Sequence, residues 1–239
     1  MPTWRSRRDE ARLRRHAAEL AGGHGVRTRA VVADLAAADG PGHAVRSTIA
    51  QLGRVDVLVN NAGASPFGSF DRISDDQWSA AFELKLLGYV RCIRAVLPGM
   101  RAQRSGRIVN VVGMAGHYAT SGYVLGALNA ALLHLTRSVA DLVAQDGITV
   151  VALNPGFTAT DRLTAALSVL AEEAGTDLAT FSDGYLAERV PLGLRGAAGD
   201  RGARRVRLLA ALRLPDRHLD RRRRRRRARE VLTCRHGAR

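Results

Sequence analysis

Residues 55–63 read Val-Asp-Val-Leu-Val-Asn-Asn-Ala-Gly, an apolar run that leads directly into two asparagines, an alanine and a glycine. A near-continuous apolar run is typical of a parallel strand buried on both faces, and nucleotides bind at the carboxyl ends of such strands. Asparagine offers a donor and an acceptor, and alanine and glycine let a ligand approach the backbone closely. The stretch predicts a central strand that ends at a nucleotide site. The alternative is an ordinary buried strand that ends in a turn.

Further strand-like segments occur in a fixed order around this one. Ala33-Asp34-Leu35 ends the first of them, residues 107–112 form the second, and residues 148–153 form the third, which runs into Asn154-Pro155-Gly156-Phe157-Thr158-Ala159-Thr160. Amphipathic helical patterns of ten or more residues separate the later segments. Strands that alternate with such helices predict βαβ units and a parallel sheet, so the fold class is α/β.

These motifs and their order resemble the short-chain dehydrogenase/reductase family over roughly residues 7–192. The resemblance implies a doubly wound, Rossmann-like parallel sheet. It also implies an oxidoreductase that transfers hydride between a nicotinamide cofactor, NADP or NAD, and a small-molecule carbonyl or alcohol substrate. The cofactor-binding residues that it implies are Asp34, Leu35, Asn61, Ala62, Gly63, Pro155 and Gly156.

The catalytic residues of that family are a serine, a tyrosine, a lysine four residues after the tyrosine, and an asparagine on the preceding helix. The tyrosine transfers a proton to or from the substrate oxygen, and the positive charge of the lysine lowers the tyrosine pKa. Counted from the flanking motifs, these four positions hold Gly113, Leu125, Asn129 and Lys85 in this chain. All four depart from the family pattern.

Two of these departures are reciprocal, because asparagine and lysine have exchanged places between neighbouring helices. Lys85 is the only lysine in a chain whose other 36 basic residues are arginines. A compact ammonium with a shiftable pKa is something that arginine cannot provide. The hypothesis is a rewired site in which Lys85 is the cation, Asn129 the polar spacer and Tyr123 the acid/base. The alternative is that Lys85 is a solvated helix residue and that Tyr123 only packs.

The formal charge of +15 is concentrated at the two ends of the chain. Residues 196–239 hold 16 arginines against four acids, and seven of these arginines are consecutive at 221–227. A genuine tail of this kind would bind phosphate backbones through counterion release. The chain between the two ends is close to neutral, so nucleic acid is not expected as a partner of the enzyme.

We interpret the tail as out-of-frame sequence. When residues 217–228 are written in permitted codons, a one-base shift reads Gly-Thr-Ser-Thr-Val-Val-Asp-Gly-Gly-Ala-Ala, which resembles the ending of the family. We therefore divide the chain into a partial dehydrogenase domain at 1–192 and a basic tail at 193–239. The alternative is a genuine tail that binds nucleic acid.

The amino-terminal end lacks the glycine-rich turn whose amides hold a pyrophosphate, and the sheet is expected to be incomplete at both ends. Roughly the first 30 to 40 residues of the family, including a strand from the middle of the sheet, are expected to be absent. Sheet edges should then stay open. A non-catalytic scaffold or gene remnant is therefore the rival interpretation.

The composition and the apolar pattern bear on metal binding, location and oligomeric state. The two cysteines, Cys92 and Cys234, have no metal-ligand spacing, so no metal site is predicted. No apolar run is long enough to span a bilayer and no signal peptide is evident, which predicts a cytoplasmic enzyme with no membrane partner. The apolar residues at helical spacing in 82–97 predict a core or dimer face, and with it a homo-oligomer, a dimer or tetramer.

Overall fold

The computed structural model describes residues 7–63, 66–119, 123, 125–190, 195–196 and 231–234. Its main sheet is entirely parallel and has the strand order β3-β2-β1-β6. The strands are β1 (Val57–Asn60), β2 (Gly106–Val111), β3 (Ile148–Leu153) and β6 (Val231–Cys234), and a separate short pair joins β4 (Thr158–Ala159) to β5 (Arg195–Gly196). The α/β class with a Rossmann-like parallel sheet is confirmed.

Helices connect and flank these strands. They are α1 (Arg7–His24), α2 (Gly40–Leu52), α3 (Asp75–Ala81), α4 (Gly88–Ala102), α5 (Gly126–Val143), α6 (Asp161–Glu173) and α7 (Leu178–Arg189). Helix α3 begins at a capping box, in which Ser74 Oγ accepts from the Gln77 amide and Gln77 Oε1 accepts from the Ser74 amide. A π-helical turn, Phe82–Leu87, joins α3 to α4.

The main core lies between the sheet and helices α2, α4 and α5. Its fully buried side chains include Leu58 of β1, Ile108 of β2, Met100 of α4 and Leu132 of α5. The apolar face predicted for residues 82–97 contributes to this core through Ile93 and Leu97. Burial of each such side chain stabilises the fold by about 1.5 to 3 kcal/mol.

The segment that ends at Ala33-Asp34-Leu35 differs from its sequence pattern. Residues 26–34 are not a strand and have no ladder partner among the described residues. A strand needs a neighbour for its backbone groups, and none of the described strands lies beside this segment. Val32 is consequently exposed, whereas Leu35 still packs into the main core.

Among the described residues, the edge of β1 that faces away from β2 has a partner strand. Strand β6 pairs with β1 in parallel, from Val57 opposite Val231 to Asn60 opposite Cys234. This strand belongs to the segment that we interpret as out of frame. The arginine run at 221–227 lies outside the described residues.

Candidate active site

Lys85 lies in the π-helical turn and is buried, with 8% of its surface exposed. Its Nζ donates to the carbonyl oxygen of Val112 at 2.7 Å and to Oδ1 of Asn129 on α5 at 2.6 Å. Single π-helical turns in proteins occur frequently at functional sites. The two residue types that exchange positions in the sequence are therefore in direct contact, and Lys85 is not a solvated residue.

The surroundings of Lys85 act against its charge. Burial, and to a lesser extent the positive charge of Arg162, together lower the Lys85 pKa from 10.5 to about 8. Arg162 lies in the first turn of α6, and its Nη1 donates to the carbonyl oxygen of Gly63 at 2.8 Å. Its guanidinium lies over the ring of Phe67, 6.0 Å from the centroid. Both cations thus converge on the segment that follows β1.

Two glycines border the Lys85–Asn129 pair. A Cβ at Gly63 would lie 3.4 Å from Lys85 Cδ, and a Cβ at Gly113 would lie 3.3 Å from Asn129 Nδ2. Gly113 also has φ +116°, a backbone conformation that side chains rarely adopt. The position where the family has serine is therefore one that this backbone reserves for glycine.

Tyr123 is half-buried and lies beside Phe67, with ring centroids 4.7 Å apart, and its backbone forms a bridge to Gly68. Among the described residues no hydrogen bond joins Tyr123 to Lys85. Phe67 connects them indirectly, because it contacts both Tyr123 and Arg162. The structure therefore brings Lys85 and Asn129 into contact and places Tyr123 at the other end of the same cluster.

Most of the candidate cofactor residues gather at the carboxyl edge of the sheet. Asn61, Ala62 and Gly63 follow β1, and Pro155 and Gly156 follow β3. The amide of Met114 donates to the carbonyl oxygen of Pro155 at 3.1 Å, so the loops after β2 and β3 are joined.

The remaining two candidate cofactor residues lie apart from these loops. Asp34 ends the unpaired segment, where its Oδ1 accepts from the amide of Ala36 at 3.0 Å. Leu35 packs in the core. These positions depend on a segment that lacks a strand partner.

Sequence reasoning missed a buried polar row that crosses the sheet. Asn60 Nδ2 donates to Asn110 Oδ1 at 2.9 Å, Asn110 Nδ2 donates to Thr136 Oγ1 at 3.0 Å, and Thr136 Oγ1 donates to the carbonyl oxygen of Leu132 at 2.7 Å. Part of the signal was available, since Asn60 ends one apolar strand run and Asn110 interrupts the next, and the structure pairs the two in register. We call these residues the Asn60–Asn110–Thr136 row.

Two buried acceptor atoms at this edge have no partner among the described residues. They are Oδ1 of Asn60, at the end of β1, and Oδ1 of Asn154, directly after β3. Buried polar atoms are ordinarily hydrogen-bonded. Their position is where the donors of a nucleotide or substrate would find acceptors.

Helix α6 is tied to the loop after β1 at both of its ends. Arg162 bonds Gly63 from the first turn, and the Glu173 carboxylate in the last turn accepts from the Ser69 amide at 3.1 Å. A groove of about 420 Å³ lies between α6 and α7, lined by Leu163 and Leu167 on one side and by Leu178 and Leu186 on the other. Lys85, Tyr123 and Asn129 do not line this groove.

Residues 4–168 match the model of the family described as short chain dehydrogenase. The chain belongs to this family.

Short-chain dehydrogenases of related sequence include the 3-oxoacyl-[acyl-carrier-protein] reductase FabG of Staphylococcus epidermidis, 38% identical over 147 residues. That match covers 60% of this chain and 59% of the relative. The reductase of the same description from Synechocystis is 38% identical over 133 residues, which cover 55% of this chain and 54% of the relative. The chain thus matches less than two thirds of the length of these curated relatives.

Two solved structures are similar as well. L-Sorbose reductase of Gluconobacter frateurii, complexed with NADPH and L-sorbose, has a TM-score of 0.66 and 28% identity, and the match covers 78% of this chain and 72% of that one. NAD⁺-bound xylitol dehydrogenase has a TM-score of 0.63 and 26% identity, and the match covers 67% of this chain and 62% of that one.

The described residues contain neither a membrane-spanning helix nor a cluster of metal ligands. No helix among the described residues is long and apolar enough to cross a membrane. Nor do the described His, Cys, Asp and Glu side chains form a group of three or more that could hold a metal ion.

Proposed function

We propose that the chain is an NAD(P)-dependent oxidoreductase that transfers hydride between a nicotinamide cofactor and a small-molecule carbonyl or alcohol substrate. The observation that carries the proposal is the 2.6 Å contact between Lys85 Nζ and Asn129 Oδ1. In this chain the two residue types are exchanged between neighbouring helices, and yet they remain paired at the carboxyl edge of a parallel sheet. This is the edge at which nucleotides bind in such folds.

The residues at this edge fit a nicotinamide cofactor, NADP or NAD. Asn61, Ala62 and Gly63 would hold the nicotinamide ribose, and the segment Pro155-Gly156 would lie over the carboxamide. The unpartnered Oδ1 of Asn154 supports this assignment because it offers an acceptor at the same loop. When bound, the nicotinamide ring supplies or accepts the hydride. Asp34 and Leu35 would lie against the adenine.

The chain's own residues would manage the proton and the charge. With a pKa of about 8, Lys85 is mainly an ammonium at neutral pH. Asn129 orients this ammonium by accepting a hydrogen bond from it at Oδ1, and the carbonyl oxygen of Val112 accepts another. Tyr123 would exchange a proton with the substrate oxygen, and its ring is held by a tilted contact with Phe67.

The proposed setting follows from the same family assignment. We propose a domain at 1–192 that acts in the cytoplasm as a dimer or tetramer on small molecules. The NADPH and L-sorbose complex and the NAD⁺ complex of the two similar structures support a dinucleotide and a polar carbonyl or alcohol substrate.

Binding and turnover test this function in the full chain. Isothermal titration with NADPH and NADH measures cofactor affinity, and a panel of ketones and alcohols measures turnover. A dissociation constant of about 100 µM or tighter, together with turnover of one panel member, would support the proposal. Cofactor binding without turnover of any panel member would contradict it.

A non-catalytic scaffold is the second candidate, and two specific observations favour it. Leu125 stands where the family has its tyrosine and is fully buried in an apolar cluster with Ile73 and Leu128. Gly113 stands where the family has its serine and carries no hydroxyl. If the parent and the double variant Lys85→Asn/Asn129→Lys both bind cofactor and both lack turnover, the scaffold function is the better description.

A further inference from the structure

The two hydrogen bonds of Lys85 Nζ match the number of N–H donors of a neutral amine. An ammonium has three N–H donors, whereas a neutral amine has two donors and one lone pair. The acceptors at 2.7 Å and 2.6 Å are a backbone carbonyl and a side-chain amide, and neither carries a charge. A neutral amine would use both of its donors on Val112 and Asn129, which leaves its lone pair as the remaining tetrahedral position.

The charges around Lys85 favour the same neutral state. Arg162 on α6 is the charged group that acts on it, and its sign is positive. Glu83, on the same π-helical turn, is paired with Arg91 of α4 at 2.8 Å, and α5 presents the neutral Asn129. Among the described residues no carboxylate forms an ion pair with Lys85. With a pKa of about 8, roughly a tenth of Lys85 is a free amine at pH 7.

Two glycines border the amine and its partner. Gly63 lies beside the lysine stem and Gly113 beside Asn129, so neither position adds a side chain next to the pair. Both glycines belong to loops at the carboxyl edge of the sheet, where ligands bind in such folds. A lysine that is desolvated and lies near another cation is one recognised form of an activated amine nucleophile.

We infer that Lys85 is a nucleophilic amine that captures aldehydes or ketones as an imine. The Nζ lone pair forms a bond to the carbonyl carbon while the carbonyl π electrons move to oxygen, and one N–H proton passes from nitrogen to that oxygen to give a carbinolamine. The C–O bond then breaks, the nitrogen lone pair forms the C=N bond, and the second N–H proton leaves nitrogen and joins the departing hydroxyl as water. One carbonyl compound and one amine thus give one imine and one water. The step uses no hydride and is independent of the proposed dehydrogenase activity.

Lys85 is the only lysine in the sequence, so in the expressed chain the terminal amine serves as the internal reference. An ordinary terminal amine has a pKa of about 7.7 to 8.0. The full chain is incubated at pH 7 with acetone and sodium cyanoborohydride, which reduces an imine to an isopropylamine. We expect the peptide that contains Lys85 to gain one isopropyl group at least as fast as the amino-terminal peptide.

Two variants and an unfolded sample control this measurement. Lys85→Arg should lose the internal label and keep the terminal one. Asn129→Asp adds a carboxylate that stabilises the ammonium, so labelling of Lys85 at pH 7 should slow about tenfold or more and its midpoint should move to higher pH. The same chain in concentrated urea shows that the alkylated peptide can be detected.

Two outcomes would overturn the inference. One is a Lys85 that stays unmodified in the native chain while the α-amine, and Lys85 in urea, are both alkylated. The other is an Asn129→Asp variant whose labelling has the same pH profile as the parent. Neither result depends on nicotinamide binding, so a failed dehydrogenase assay leaves this test intact.

Discussion

Two buried polar regions join α5 to the carboxyl edge of the sheet, and they differ in charge. The Asn60–Asn110–Thr136 row is neutral, and its bonds run from β1 through β2 to α5. The Lys85–Asn129 pair lies at the same edge and holds a cation that is 8% exposed. The neutral row pairs Asn60 with Asn110 in register, and only Oδ1 of Asn60 is left without a partner among the described residues. The charged pair opposes folding at neutral pH, and that cost is the mark of a group retained for its chemistry.

The largest expected effect breaks the neutral row. Asn110→Ala leaves Asn60 and Thr136 without a shared partner and opens a cavity in a fully buried position. We expect the free energy of unfolding, measured with urea, to fall by about 3 to 4 kcal/mol. Ser138→Ala, which removes an exposed hydroxyl on α5, is the control and should cost less than about 0.5 kcal/mol. A loss below about 1 kcal/mol for Asn110→Ala would show that the row contributes little to the free energy of unfolding.

Substitutions in the charged pair, and of Tyr123, should lower the activity. Lys85→Arg keeps the charge but loses the compact donor, and Tyr123→Phe removes the proposed acid/base. If the parent chain turns over a substrate, each of these two substitutions should lower kcat/KM about a hundredfold. Arg94→Lys, an exchange of cations at an exposed site on α4, is the matched control and should change nothing. Retention of activity within a few-fold by both test variants would remove them from the catalytic machinery.

The pH dependence of stability separates the two regions, because only the charged pair contains a group that titrates. Folding lowers the Lys85 pKa from 10.5 to about 8, so between these values the unfolded chain binds more protons than the folded chain and stability rises with pH. Lys85→Met lacks this group. Between pH 7 and pH 10 the parent should therefore gain about 2 to 3 kcal/mol relative to Lys85→Met, as measured by urea unfolding at each pH. An equal change in both chains would show that Lys85 is solvated.

A smaller effect is expected when the neighbouring cation is removed. Arg162→Gln should raise the Lys85 pKa, because the charge of Arg162 is one cause of its depression, but burial should still hold the value below 10.5. The chain's single lysine gives one Nζ signal, so a nuclear magnetic resonance titration reads this pKa directly. Arg91→Gln, which disrupts the ion pair with Glu83, is the control and should leave the Lys85 midpoint unchanged.

A strand is predicted correctly from the sequence where the segments that pair with it are also recognisable as apolar runs. The apolar run at 57–60 is a buried strand, because the run at 106–111 pairs with it in register and the run at 148–153 pairs in turn with 106–111. The segment that ends at Asp34 has a similar apolar pattern but is not a strand, because pairing depends on neighbours that the local sequence does not contain.

The candidate site shows the same division. The exchange of Lys85 and Asn129 was readable from residue positions, since helices at known places in the family carry both. Arg162 and the Asn60–Asn110–Thr136 row were not identified, because they act through contacts between elements far apart in the chain. Arg162 donates a 2.8 Å hydrogen bond to Gly63, but the two residues are too far apart in the sequence for a local pattern to indicate it.

The pairing of β1 with β6 has a consequence for how the chain folds. Strand β2 pairs with a strand about 50 positions before it, whereas Val57 pairs with Val231, roughly 170 positions later. Contacts of such long range slow folding, because loop closure precedes any gain from pairing. At about 5 to 20 residues per second, a ribosome needs roughly 10 to 35 seconds to make the intervening chain. During that time one edge of β1 waits for its partner, and the nascent chain is most exposed to aggregation before its last residues emerge.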